Sequence, residues 1–168
     1  MLKNTLSLIL AVCILLWIGF IFGNSADGAE ESGNKSSHVQ EVINNTAQNM
    51  GIPVEVSEHS VRKSAHFTEY AVLSLLLCLF AVLVPVPGSS GKLTLARCFS
   101  VFLCPFFVMP VAALDETLQK FSEGRGCRFT DVLIDTAGAL CAAVLFCLIA
   151  LLCRYFLRRR EAGKNSFT

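Results

Sequence analysis

Charge is scarce in this chain: 14 lysine and arginine and 13 aspartate and glutamate residues among 168 leave only 16% of positions charged. With 54% hydrophobic residues and a mean hydropathy of +0.59, that scarcity excludes an ordinary water-soluble domain and makes the bilayer the natural solvent. Several signatures of known chemistry are also missing. There is no His-Glu-x-x-His, no Gly-x-Ser-x-Gly and no glycine-rich phosphate loop, which lowers the standing of the familiar zinc protease, serine hydrolase and nucleotide-binding classes. Cys-x-x-Cys is absent although there are eight cysteines. Seven of them lie in or at the ends of apolar stretches, where cysteine acts as a small hydrophobe, and only Cys127 falls in a polar connection, as a free thiol. Basic residues form no extended stripe, so nucleic-acid binding is set aside. The short cluster Arg158-Arg159-Arg160 sits beside an apolar run, where arginine anchors a span and favours anionic lipid at ~1 kcal/mol per residue.

What is present in quantity is apolar length. Four stretches, Thr5 to Phe22, Tyr70 to Pro87, Cys98 to Leu114 and Thr136 to Cys153, carry no charge. Each is close to the ~20 residues that a spanning helix needs. Hydrocarbon offers backbone groups no partner, so each stretch must be helical, and the chain is expected to be all-α: a polytopic membrane protein built as a four-transmembrane-helix bundle. A single domain over 1–168 follows, with spans at about 5–23, 66–87, 97–115 and 132–153, an extracytoplasmic loop over 24–60 and a tail over 154–168. The first stretch has the charged start and small flanking residues of a secretory signal, but it is longer than the ~7 to 15 residues usual there and is expected to stay as an anchor.

Four spans put both termini on one side. That side holds Lys3, Lys92, Arg97, Arg154, Arg158, Arg159, Arg160 and Lys164 with Glu161 as its only acid, whereas the other side holds six basic residues and twelve acids. Lysine and arginine mark the cytoplasmic side, so both termini are expected in the cytoplasm and the acidic face outside it.

The polar connections carry the chemistry. Asn24 to Ser60 opens as flexible loop; within it Ser37 and Gln40 form a capping box, and Val39, Val42, Ile43 and Met50 recur at helical spacing until Gly51 and Pro53. A short extracytoplasmic amphipathic helix follows, on the membrane surface or over the bundle mouth. The next helix is expected to start near Ser57 or Ser60, which stacks Arg62, His66 and Glu69 on one face, with His66 and Arg62 as partners for the boundary residue Glu69. The connection between the third and fourth spans carries Asp115, Glu116, Gln119, Arg125, Asp131 and Asp135. Asp115 and Gln119 share one helical face; Asp131, Asp135 and Gly138 share another. Asp135 should lie about one turn inside the membrane, where an unpaired carboxylate would cost several kcal/mol. Gly138 and Ala142 allow a neighbouring helix close enough to bury it, and Arg125 is the expected cation. By parity the two clusters, some fifty residues apart, must meet at one membrane face. That is the geometry of one shared site, although an ion-pair network that only pins helix ends would share it.

At these residues the chain resembles the VanZ-like family of bacterial membrane proteins. The likeness rests on Arg62-Lys63-Ser64-Ala65-His66-Phe67-Thr68-Glu69-Tyr70 and then on Asp115-Glu116, Gln119, Arg125, Asp131 and Gly138, and covers nearly the whole chain. Asp135 departs from the asparagine more usual there. The resemblance implies a protein of the bacterial cytoplasmic membrane and cell envelope associated with low-level glycopeptide resistance, to teicoplanin above all, and it supplies no reaction.

Three functions are open on this reading. In the first, an outer-face pocket binds a polar or lipid-linked envelope component: Arg62, Lys63 and Arg125 engage anionic groups while Glu69, Asp115, Glu116 and Gln119 accept hydrogen bonds, with Asp131 and Asp135 completing the site. In the second, a membrane-embedded hydrolase or transferase uses His66, Glu69, Asp115 and Glu116 as acid and base or as ligands of a divalent metal, although the spacing is no recognised zinc signature, and neither a metal nor another cofactor is assigned from it. In the third, a small transporter or channel, Pro105 and Pro110 either break the third span or only bend it, and four spans make no pore without oligomerisation. Membrane lipids are the expected partners; the oligomeric state is not written in the sequence.

Overall fold

A computed structural model describes residues 2–53, 55–84, 95–122, 126 and 128–165, leaving aside the side chains at 2, 3, 95–100 and 161–165. The described chain forms five helices: α1 (Leu2–Ala26), α2 (Ala29–Asn49), α3 (Glu58–Leu83), α4 (Leu95–Gln119) and α5 (Phe129–Asn165). Four contain segments long and apolar enough to cross a membrane, Asn4–Ala26, Glu58–Leu83, Val101–Gln119 and Phe129–Arg160. The protein is thus an all-helical, multi-pass membrane protein. Its outer surface bears out that solvent: Leu15, Leu16, Phe106, Phe107, Leu148 and Leu152 are all more than half exposed, or nearly so, which only lipid tolerates over so large an area.

Packing inside the bundle is thin but specific. Helices α3 and α5 make the most extensive pair, and α4 packs against both. One core cluster draws Ile14 and Ile21 from α1, Tyr70 and Leu73 from α3, Val108 and Ala112 from α4, and Val132 and Ala139 from α5. A second, of Cys78, Val101, Cys104 and Ala143, closes the bundle toward the end that holds the chain termini. The close approach of α3 and α5 depends on Gly138, where an added Cβ would overlap the Phe67 carbonyl oxygen and stand 3.2 Å from the Phe67 Cα. Two turns beyond Phe67, Ser74 Oγ donates to the carbonyl of Ala139, the residue after Gly138, at 2.8 Å, a buried bond across the same seam.

Three expectations need correction. The segment after the first span is not a loop with a short helix from Ser37: α2 begins at Ala29, Gly28 is its N-cap, and Ser37 lies inside it. Serine and asparagine are poor helix formers because their side chains compete for backbone groups, but here Ser36 Oγ and Ser37 Oγ bond back to the carbonyls of Ser32 and Asn34, within the helix. Glu30 and Glu31 suit the positive N-terminal end, and Lys35 bridges Asp27 at 2.7 Å and Glu31 at 3.1 Å. Those two carboxylates, Asp27 first, raise the Lys35 pKa above its ordinary value. Second, Asp115 to Gln119 is no connection, since α4 continues through it to Gln119. Third, of the two readings of Pro105 and Pro110 the break is excluded, since α4 runs unbroken past both.

Other boundaries agree with the sequence. Gly51, with φ of 70°, closes α2 in a Schellman motif, Ile52 N–H bonding to the Ala47 carbonyl at 2.9 Å and Gly51 N–H to that of Gln48 at 3.0 Å. Ser57 caps α3 through Ser60 N–H. Between them Asn44 fixes the turn, its amide nitrogen donating to the Val56 carbonyl at 3.1 Å and its oxygen accepting from Val56 N–H at 2.8 Å. The result is a polar helix held against the start of α3, beside the mouth of the bundle.

Candidate functional site

The last turns of α1 and α4 and the first turns of α3 and α5 lie at one end of the bundle, so their polar residues converge although they are dispersed along the chain. From α3 comes His66, from α4 Asp115 and from α5 Asp135; one nitrogen of the imidazole and one oxygen of each carboxylate all lie within 4.8 Å of one another. Asp115 is fully buried and Asp135 is 2% exposed. The meeting of the two clusters that parity required is therefore real, and it is intimate.

Around this centre each carboxylate has its own surroundings. Lys63 forms an ion pair with Asp131, joining α3 to the start of α5. Gln119 donates to Asp115 Oδ2 at 3.3 Å, as their shared helical face predicts, and also reaches Ser25 Oγ on α1 at 3.2 Å. Glu116, nearly fully buried, accepts the Arg128 backbone N–H at 3.0 Å. Glu69 has the expected His66 beside it, Nδ1 standing at ion-pair distance, 3.6 Å, from one carboxylate oxygen, and an unexpected donor on the other, the Asn24 amide at 2.7 Å. Trp17 Nε1 donates to the Glu69 backbone carbonyl at 2.9 Å, so α1 grips this residue twice. Arg125, the cation expected beside Asp135, lies outside the described residues; the described cation whose charge acts on Asp135 is Lys63.

Two cavities meet the cluster at His66. The larger, about 590 Å³, runs between α1, α2 and α3, with Trp17, Phe20, Val39, Ile43 and Val72 along it and Asn24, Arg62, His66 and Glu69 at its polar end. The smaller, about 230 Å³, is lined by His59, Arg62, Lys63, His66, Gln119, Arg128 and Asp131. Arg62 and His66 belong to both. Thus one side of the site is oily and the other polar, with a guanidinium and an imidazole at the passage between them.

Sequence reasoning missed Trp17, Asn24, Ser25 and Tyr70. The only tryptophan and an amide at the end of an apolar run were signals of inward-facing polarity, since a span end open to water needs neither. Tyr70 follows Glu69 directly and is fully buried, with Asp115, Asp135 and Glu69 as its charged neighbours.

A multi-pass helical bundle with a buried histidine–carboxylate cluster at one end, opening into an amphipathic groove, defines the class. Residues 10–152 match the VanZ/LLP1 family model, and the chain belongs to that family. No curated protein and no solved structure gives a significant match to this chain.

Proposed function

We propose that this protein binds an amphipathic, lipid-linked envelope component, its apolar part lying in the groove between α1, α2 and α3 and its polar headgroup in the smaller cavity. The supporting observation is the pair of cavities joined at Arg62 and His66, one lined by Trp17, Phe20 and Val72 and the other by Lys63, Arg128 and Gln119. Guanidinium and ammonium groups suit a phosphate or carboxylate headgroup, while the groove takes hydrocarbon. Membership of the VanZ/LLP1 family supports a place in the bacterial cytoplasmic membrane and a contribution to reduced susceptibility to teicoplanin and related glycopeptides. The lopsided Lys/Arg distribution supports cytoplasmic termini, and so a site on the outer face.

Mass spectrometry of lipid retained by the detergent-purified protein tests this reading. Val72→Trp, which fills the groove, is expected to strip bound lipid while the protein remains monodisperse, and Arg62→Ala to weaken retention of anionic species about tenfold, the worth of a charge-assisted hydrogen bond. Unchanged lipid in both variants would refute it.

A second reading, hydrolysis or transfer at the headgroup, is favoured by the position of His66. It lines both cavities and stands beside Asp115 and Asp135, so an acid–base group lies where a headgroup bond would pass. Turnover of the retained lipid, lost in His66→Gln, would decide for it.

A further inference from the structure

The polar end of the groove poses a charge problem. Glu69, Asp115, Glu116, Asp131 and Asp135 converge there against Arg62, Lys63 and Arg128 among the described residues, and Lys63 is already paired with Asp131. A headgroup pocket whose own lining is mainly basic thus lies beside a buried acidic cluster, and carboxylates held away from water need positive charge or hydrogen bonds close by.

We propose that His66, Asp115 and Asp135 form a binding site for one divalent metal cation of the zinc or manganese kind, behind His66, the residue of the three that lines both cavities.

The donors come from three helices, so the fold and not a local turn assembles them, and their ligand atoms already lie within 4.8 Å of one another. Donors about 2.0 to 2.2 Å from a metal stand roughly 3 to 4.4 Å apart, so coordination asks for side-chain shifts of an ångström or less. One imidazole with two carboxylates is a mixed nitrogen and oxygen set, suited to Zn²⁺ or Mn²⁺ better than to the all-oxygen cations.

A second, independent observation concerns the walls. The fully buried Tyr70 hydroxyl faces Asp115 without a well-formed hydrogen bond, and the buried Glu69 Oε2 has only His66 Nδ1, 3.6 Å away and beyond hydrogen-bond length. Polar atoms left in this state at a buried site call for a missing partner. Metal-bound water supplies one, able to donate to the carboxylate and to accept from the phenol. The cation would also place positive charge under the headgroup, where phosphate oxygens complete its coordination. This last step rests on the lipid reading; the three-donor site does not.

The test uses the full chain in detergent, stripped with EDTA, equilibrated separately with Zn²⁺ and Mn²⁺, desalted and assayed for metal by mass spectrometry, with bound phospholipid quantified in the same samples. About one metal per chain is expected, with affinity reduced at least about tenfold in His66→Gln and in Asp135→Asn and unchanged in Glu31→Gln, an exposed carboxylate paired with Lys35 on α2. Markedly substoichiometric metal in the unaltered protein overturns the proposal, whatever the variants do. So does retention in both ligand variants equal to that of the unaltered protein. Phospholipid retained without metal would refute the cation site alone, and metal retained without phospholipid the groove alone.

Discussion

At the scale of single residues, the clamp of α1 on Glu69 decides how the site is held. The Asn24 amide donates to Glu69 Oε1 at 2.7 Å in a partly buried setting, so its removal leaves a carboxylate oxygen without a donor. Asn24→Ala should destabilise the protein by about 1–3 kcal/mol, read as a lower thermal midpoint in detergent. Glu69→Gln should be tolerated better, because its amide oxygen still accepts the same bond. Trp17, the only tryptophan, is held on the same residue, so its fluorescence should report the loosening in Asn24→Ala. Equal midpoints for the unaltered protein and Asn24→Ala would show that this contact carries no stability. The candidate residues themselves were legible because ionisable groups in apolar sequence are few and must be explained. Their pairings were legible only in part. Spacing on one helix pointed to His66, which does stand at ion-pair distance from Glu69, whereas the hydrogen-bond donor Asn24 comes from a different span, and spacing says nothing about contacts between helices.

At the scale of helices, the seam between α3 and α5 does most to assemble the site, since it carries His66 and Lys63 to Asp135 and Asp131. Gly138 is its closest point. Gly138→Val should force the helices apart, costing about 1–3 kcal/mol or more as overpacking does, and should lower folded yield from membranes. Gly19 offers the matched control: an added Cβ there meets nothing within 4 Å, so Gly19→Ala should be neutral or slightly stabilising. Were both substitutions equally harmless, the approach of α3 and α5 would not depend on the missing side chain. The role of Gly138 could be read in advance from its place one turn beyond Asp135 among small residues. The full length of α2 could not be, because Glu30 to Ser37 shows no apolar period, and its helical state is held by a charged first turn, Lys35 bridges and serine side chains bonded to their own helix. The exit of α4 was misread for a related reason. Asp115 and Glu116 look like the start of a water-exposed loop, yet both are buried, and the helix carries them inside the bundle until Gln119.

At the scale of the whole molecule, four spanning helices place the two termini together and the site at the opposite end. What remains is which end faces the cytoplasm. Helix α5, at 37 residues, reaches about 55 Å, well beyond a hydrocarbon core of roughly 30 Å, and the excess carries Arg154, Arg158, Arg159 and Arg160, all charged and mostly exposed. Arg159 also lies over the Tyr155 ring, 5.9 Å from its centroid, an aromatic and cationic pairing suited to a membrane interface. Moving such a cluster across a membrane is unfavourable, so the proposed orientation puts it in the cytoplasm and the His66 cluster outside. Two single-cysteine versions of the chain decide the matter, one keeping Cys127, which lies outside the described residues two positions before α5 in sequence, and the other keeping Cys98, near the start of α4. A membrane-impermeant maleimide applied to intact cells should modify Cys127 and spare Cys98 until the cells are opened. The reverse pattern would turn the site toward the cytoplasm and remove any ligand confined to the outer leaflet, while leaving the helix packing and the convergence of His66, Asp115 and Asp135 untouched.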